Sequence, residues 1–365
     1  LFEFNTYKKR FDANKVEILK SGKFPYVVRM GSNNGQRGFI NEDEKYLNEG
    51  NTISFGQDTA TMFYQAKPYF TGDKIKILKS KEKRFSAKNA QFFILSMSKA
   101  FSSFSWGGSS FNVKILENQN IQLPIKKSKI DFDFMERFIS DLESERIYLL
   151  EKHLSDNGLD NYELTEQEKN ALDRFENIDW GKFGLGLLFE KINTNKLPFK
   201  ADELPKQIEG NYTLPCLTSS FKNQGLNYYA PRDGATILKN VISIPSNSDV
   251  YRAYFQSNEF TVLSDSYAIQ WIFEDFKLLP NQYLFAVQCI NKVTDLPIYS
   301  YKNKLGGWNV VKNKFIQLPQ KNGKPDYELM NTFVSAIKKI VVKDVVLYVQ
   351  QKKEELKTMT KQPTQ

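Results

Sequence analysis

The chain has 365 residues, 41% of them hydrophobic and including 29 Phe and 18 Tyr, which suits two ordinary domains with their own cores and excludes a disordered chain. Its formal net charge is +9, with Lys and Arg spread along the whole length, so a polyanionic partner and simple solubility are both open readings. One histidine, His153, and two distant cysteines, Cys216 and Cys289, exclude a zinc site and a disulfide framework.

The two thiols read as small apolar residues of a protein kept in a reducing cytoplasm. No signal peptide and no membrane-length apolar run is found. The chain opens at Leu1-Phe2-Glu3-Phe4 without a Met and reads as the interior of a longer polypeptide.

In chain order, short β-like runs are expected at 24–29, 52–55, 74–78 and 112–115, separated by Gly and Asn clusters. A Leu-Pro pair at 123–124 ends this β region. A long helix over 131–153 follows, with Met135, Phe138, Leu142 and Leu149 on one face and Glu and Arg on the other. Ser155-Asp156-Asn157-Gly158 stops it. Thr165-Glu166-Gln167-Glu168 reads as a capping box that opens a short helix reaching about Phe175. A second mixed region leads to another Leu-Pro and a second long helix over 326–356, striped by Met330, Phe333, Ile337, Val341, Val345 and Tyr348. The tail from Thr358 reads as frayed.

The chain is written twice. Ile121-Gln122-Leu123-Pro124 recurs as Ile316-Gln317-Leu318-Pro319. At the same spacing, Asp131, Phe134, Met135 and Phe138 are answered by Asp326, Leu329, Met330 and Phe333. Upstream, Leu1-Phe2-Glu3 is answered by Leu188-Phe189-Glu190, and Asn51-Thr52-Ile53-Ser54 by Asn240-Val241-Ile242-Ser243. Phe63-Tyr64-Gln65 is answered by Tyr254-Phe255-Gln256, and Trp106-Gly107-Gly108 by Gly306-Gly307-Trp308. The period is far longer than that of a solenoid repeat, so a domain and its connector have been duplicated.

A fold of class α+β is therefore expected: two tandem domains of mixed β/α structure, each followed by a long helix, the two helices packed antiparallel as a spacer. The segments are 1–124 and 188–319 for the domains, 125–156 and 320–358 for the helices, 157–187 for a linker with a short helix, and 359–365 for the frayed tail. A helix of about 23 residues spans roughly 35 Å, close to one turn of B-DNA. That geometry suits a split target with an unread gap and two different halves.

The doubled order of Leu-Phe-Glu, Asn-x-Ile-Ser, a Gly-Gly segment, Ile-Gln-Leu-Pro and a long helix resembles the specificity subunits of type I restriction–modification systems. It is most similar to type IIB/IIG-like specificity subunits with two target-recognition domains. The resemblance covers nearly the whole chain, although each motif alone is short. It implies a non-catalytic DNA-binding subunit that reads a bipartite double-stranded target. It also implies partners: DNA methyltransferase subunits held through the helices, with a restriction subunit as a further candidate. No cofactor is expected on this chain, whereas S-adenosylmethionine, with Mg2+ as a further candidate, is expected in the partner subunits.

Base and phosphate readers are chosen by chemistry, because Arg, Asn and Gln pair with base edges and Lys meets phosphates. In the first domain they are Arg29, Ser32, Asn33, Asn34, Gln36 and Arg37, then Gln57, Thr59 and Lys74, with Lys99 as a further cation. In the second they are Ser219, Ser220, Lys222, Asn223 and Gln224, then Ser246, Asn247, Arg252 and Lys304, with Lys302 beside them. A polar hairpin turn needs Asn and Gly in any case, and a single lysine is more often a solvated charge. Met135, Phe138, Leu142, Phe333, Ile337 and Val341 are the candidate subunit-interface residues.

No catalytic or metal-ligating set is assigned. There is no phosphate-binding Gly-Lys-Ser/Thr loop, no Asn-Pro-Pro-Tyr-like methylation motif and no nuclease core. Asp131/Asp133 and Glu143/Glu145 read as solvated helix charges, and His153 as a favourable charge at a helix C-terminus. Two other readings stand beside the first: the C-terminal specificity region of a fused restriction–methyltransferase enzyme, and a coiled-coil adaptor that does not bind DNA.

Overall fold

Most of the β-branched and aromatic runs of the first copy form strands that bury apolar side chains in neighbouring clusters, Ile53, Phe55 and Leu78 in one and Tyr26 and Phe70 in another. The computed structural model describes residues 1–102 and 113–360. The chain divides into two units, Leu1–Leu150 with the chain end from Lys352, and Glu151–Gln351.

In the first unit the elements are β1 (Phe2–Thr6), β2 (Pro25–Val27), β3 (Gln36–Phe39), β4 (Thr52–Gly56), β5 (Met62–Gln65), β6 (Phe70–Thr71) and β7 (Ile75–Ser80). They are followed by α1 (Ala90–Ala100), α2 (Val113–Glu117), the β8–β9 hairpin (Ile125–Lys126 and Lys129–Ile130) and the long α3 (Phe132–Asp156). One sheet has the order β1-β7-β4-β5 and a second has β3-β2-β6. Ile53, Phe55 and Leu78 of the first sheet are fully buried against Phe93 and Met97 of α1.

The second unit contains α4 (Glu166–Asp173), β10 (Trp180–Gly184), α5 (Leu185–Leu188), β11 (Phe189–Lys191), β12 (Tyr212–Leu217), β13 (Leu226–Pro231) and β14 (Val241–Pro245). Then come β15 (Tyr254–Gln256), β16 (Thr261–Val262), β17 (Ser266–Trp271), α6 (Pro280–Thr294), α7 (Trp308–Val311), β18 (Phe315–Lys321), β19 (Lys324–Pro325) and the long α8 (Tyr327–Thr360). The strand orders are β11-β17-β14-β15 and β13-β12-β16, the same two sheets drawn again. Residue registers agree as well. Ile53 faces Leu78 and Tyr64, while Ile242 faces Ile269 and Phe255.

The repeated sequence patches have structural reasons. Asn51 and Asn240 enter the central strands with φ of 54° and 56°, a left-handed conformation that Asn tolerates better than most residues. Asp131 and Asp326 are the N-caps of the two long helices. Their carboxylates accept the N–H of Phe134 and Leu329, each at 3.0 Å, and their own N–H groups donate to Pro124 and Pro319. Met135 and Met330, one turn further on, are fully buried. Asp131 is therefore a cap and not a solvated surface charge, and Asp133 pairs with Arg84 at 2.7 Å.

Three other expectations need correction. Residues 113–115 lie in the helix Val113–Glu117, whose inward residues, Leu116 buried and Val113 half-buried, are three apart as a helix requires and a strand does not allow. The expected run began at Asn112, which, like Trp106-Gly107-Gly108, lies outside the described residues. The second Leu-Pro does not end a strand: Pro319 sits inside β18, paired with Trp180 of β10, and its carbonyl accepts the Asp326 N–H at 2.8 Å. Finally, α8 continues to Thr360, beyond the expected end of the helix.

The capping box at Thr165 and Glu168 forms, and Glu168 does more than cap. Its carboxylate also accepts Ser335 at 2.7 Å and pairs with Lys339 at 2.9 Å, tying α4 to α8. Burial alone would raise this carboxyl. The bonds from Lys339, Ser335 and the Thr165 N–H outweigh that and hold it at about 2, below its ordinary 4.5. A lowered carboxyl contributes its full stabilisation above the ordinary value and loses it as pH falls towards the folded value. The stability of this unit to urea is thus expected to fall between about pH 4.5 and about 2, and Glu168→Gln should flatten that limb. Lys339→Met leaves the carboxylate without its counter-charge and is expected to cost about 3 kcal/mol in urea unfolding at pH 7.

Candidate nucleic-acid interface

Between β2 and β3 the chain makes a turn closed by the Val28 N–H to the Gly35 carbonyl at 2.8 Å. Between β12 and β13 it makes the same turn at the same length, closed by Thr218 N–H to Gly225 at 3.1 Å. Asn33 and Asn34 have φ of 48° and 50°, and Asn223 and Gln224 have 47° and 53°. Gly35 follows at 71°, and a Cβ there would meet the Val28 carbonyl at 3.1 Å, so only glycine closes this turn without strain.

The six positions between the closing residues are Arg-Met-Gly-Ser-Asn-Asn at 29–34 and Ser-Ser-Phe-Lys-Asn-Gln at 219–224. Two of the expected readers shape the turn itself. Asn33 donates its amide to the Gln36 carbonyl at 2.9 Å, and Asn223 donates to Leu226 at 3.3 Å. Ser220 accepts the Lys222 N–H at 3.1 Å. The side chains of Ser32, Asn34, Lys222 and Gln224 are exposed, while Gln36 and Ser219 are half-buried.

A second loop in each unit follows the central strand. Gln57 N–H donates to the Lys74 carbonyl at 3.0 Å, and Ser246 N–H to Asp265 at 2.9 Å, so these positions correspond. Asp58, next to Gln57, accepts both Arg29 and Lys74, the latter at 2.8 Å. Lys74 itself has φ of 55°. The corresponding trio in the second unit is Ser219, Asn247 and Asp265. A cation–carboxylate–cation group is thus replaced by two neutral residues and a carboxylate on the same backbone frame. Asn247 Oδ1 is enclosed and has no protein partner among the described residues.

Arg29, Arg37 and Thr59 meet at an open cleft of about 540 Å3 in the first unit, together with Arg10. Arg10 was not legible as a site residue. Asp73 holds it at 2.9 Å, as Asp58 holds Arg29. Arg37 is exposed and has no ion-pair partner among the described residues.

In the second unit Arg252 pairs with Asp295 at 2.6 Å and lies beside Tyr254, whose hydroxyl donates to the Phe221 carbonyl of the turn at 2.9 Å. Lys304 lies 4.7 Å from the centre of the Tyr301 ring, and the Tyr301 N–H donates to Asp249 at 2.9 Å. Both cations are therefore bonded into the surroundings of the turn and the Ser246 loop.

The helix stripe divides into buried and exposed members. Met135 is fully buried in the core of its own unit, so it offers no surface to a partner, and its assignment as an interface residue is withdrawn. Phe333 stacks on Phe175 with ring centres 4.7 Å apart. Phe138, Leu142, Ile337 and Val341 are exposed, Val341 at 74%. Cys216 and Cys289 are both buried, which pushes each thiol up to about 12 and leaves neither as a nucleophile. No cluster of metal-ligating side chains occurs among the described residues, and no helix among them is long and apolar enough to cross a membrane.

Residues 1–152 match the family described as type I restriction modification DNA specificity domain. The chain is 25% identical over 340 residues to the type II restriction enzyme specificity subunit S.BcgI of Heyndrickxia coagulans, covering 92% of this chain and 91% of the relative. Its fold is similar to the crystal structure of the S subunit of a type I restriction–modification system from M. genitalium, with a TM-score of 0.56 and 14% identity, covering 98% of this chain and 91% of that one. The family match thus falls on the first copy of a domain that is built twice, and over most of its length the chain is similar to a restriction-enzyme specificity subunit.

Proposed function

We propose that this chain reads a bipartite double-stranded DNA target, one unit to each half-site, and scaffolds methyltransferase subunits that bind S-adenosylmethionine. The observation that carries this reading is the twofold construction of one turn-and-loop frame with different side chains at the tips. A structural scaffold alone would have no need to keep the frame while replacing nearly every exposed residue on it. Two readers of unlike sequences do. The first unit presents a cationic tip built on Arg29, Arg37 and Lys74, suited to guanine edges and phosphates. The second presents Ser, Asn and Gln groups with Lys222, suited to amide-type pairing with adenine and to a single phosphate. The long helices act as the spacer, and their exposed apolar residues, Phe138, Leu142, Ile337 and Val341, face the partner subunits.

A cognate duplex selected from a randomised pool tests this. Arg37→Ala is expected to lower discrimination at one half-site by about tenfold, the scale of one good base contact, and to spare the other half. Equal loss at both halves, or none, would reject the assignment of that tip. Removing one turn from each of α3 and α8 should shorten the preferred gap between half-sites. An unchanged gap in the selected duplexes would refute the spacer role.

A further inference from the structure

The repeated Phe63-Tyr64-Gln65 and Tyr254-Phe255-Gln256 patches end on glutamines that no base-reading role requires. Gln65 is buried at the end of β5, 7% exposed, and donates one amide N–H to Ser54 Oγ and the other to the Asn34 carbonyl, each at 3.0 Å. Gln256 ends β15 and donates to Ser243 Oγ at 3.0 Å and to the Gln224 carbonyl at 3.1 Å. Ser54 and Ser243 are themselves buried, at 2% and 3%. They are the Ser of the repeated Asn-x-Ile-Ser strands. In both units, then, one glutamine amide joins the central strand to the left-handed residue of the reader turn.

From this geometry we infer that Gln65 and Gln256 are positioning residues for sequence discrimination, latches that hold the Asn34 and Gln224 backbones in the conformation presenting each tip. The inference rests on the DNA-reading role proposed above. Left-handed backbone is unfavourable for both Asn and Gln, and more so for Gln. Something outside the turn must stabilise it, and the amide is the side-chain group that reaches the carbonyl from the sheet. A neighbour on the same strand assists in each copy. The Phe63 ring lies against Gly35 in the first, and Tyr254 bonds Phe221 in the second. The tips diverged while the Gln–Ser pair beneath them did not, as expected of a latch that acts on main chain and is blind to the side chain above it.

The test uses the full chain and the selected duplex, with single mismatches placed in either half. Gln65→Leu keeps the volume and removes both N–H donors. It is expected to reduce discrimination about tenfold in the half-site affected by Arg37→Ala, with the other half and binding to random duplex at low salt unchanged. Gln256→Leu should do the same for the half affected by Lys222→Ala. Ser54→Ala and Ser243→Ala remove one end of each latch and should give a smaller loss in the same half, and they decide the matter should a Leu variant fail to fold. Equal loss at both halves, or lowered thermal stability with discrimination intact, overturns the latch. If Arg37→Ala and Lys222→Ala themselves leave discrimination untouched, the base-reading role fails. If they change it and the Gln and Ser variants do not, only the latch fails.

Discussion

The structure depends on a backbone constraint met twice: two consecutive side-chain-bearing residues are held at positive φ just before a glycine. Such a turn does not persist by itself. It is closed by one main-chain bond, braced by an Asn amide at its base and bonded from the sheet by a glutamine, buried in the first copy and half-buried in the second. Strand parity makes this possible. On β4 and β14 the isoleucine points into the apolar core, and the next residue, Ser, points to the opposite face, where it meets the glutamine. One residue of register slip would turn the serine into the apolar core and the isoleucine towards the glutamine, leaving both without their partners.

A frame held through main chain and strand-borne polar groups leaves its exposed positions free. That freedom is visible in the exchange of Arg29, Asp58 and Lys74 for Ser219, Asn247 and Asp265. In the first unit Asp58 and Asp73 hold arginines at a concave surface, which orders guanidinium groups before any partner arrives. The arrangement lowers the entropy lost on binding while giving up part of the net charge.

The helices repeat the same economy. Each begins at an Asp that caps three residues ahead and bonds back to a proline, and each buries a Met one turn later. Glu168 adds a contact that the first copy's helix lacks among the described residues, since α4 and its capping box occur once. The second unit therefore gains an acid-sensitive tie between a short helix and a long one.

By itself the sequence determined that the chain is duplicated, where the long helices start and which turns carry the polar tips. Those features are local or periodic: caps, an apolar stripe and repeated patches in one order. Tertiary structure alone decided what the repeated polar residues do. Gln65 and Ser54 are eleven residues apart, and Gln65 and Asn34 thirty-one. No spacing rule links them, because their meeting follows from the pairing of β4 with β5 and the packing of β2 on the sheet beside it. The same holds for Arg10 with Asp73, for Glu168 with Lys339 and for the burial of Met135. Each is a contact between segments far apart in the chain, where side-chain partners are chosen by packing and not by neighbourhood in sequence.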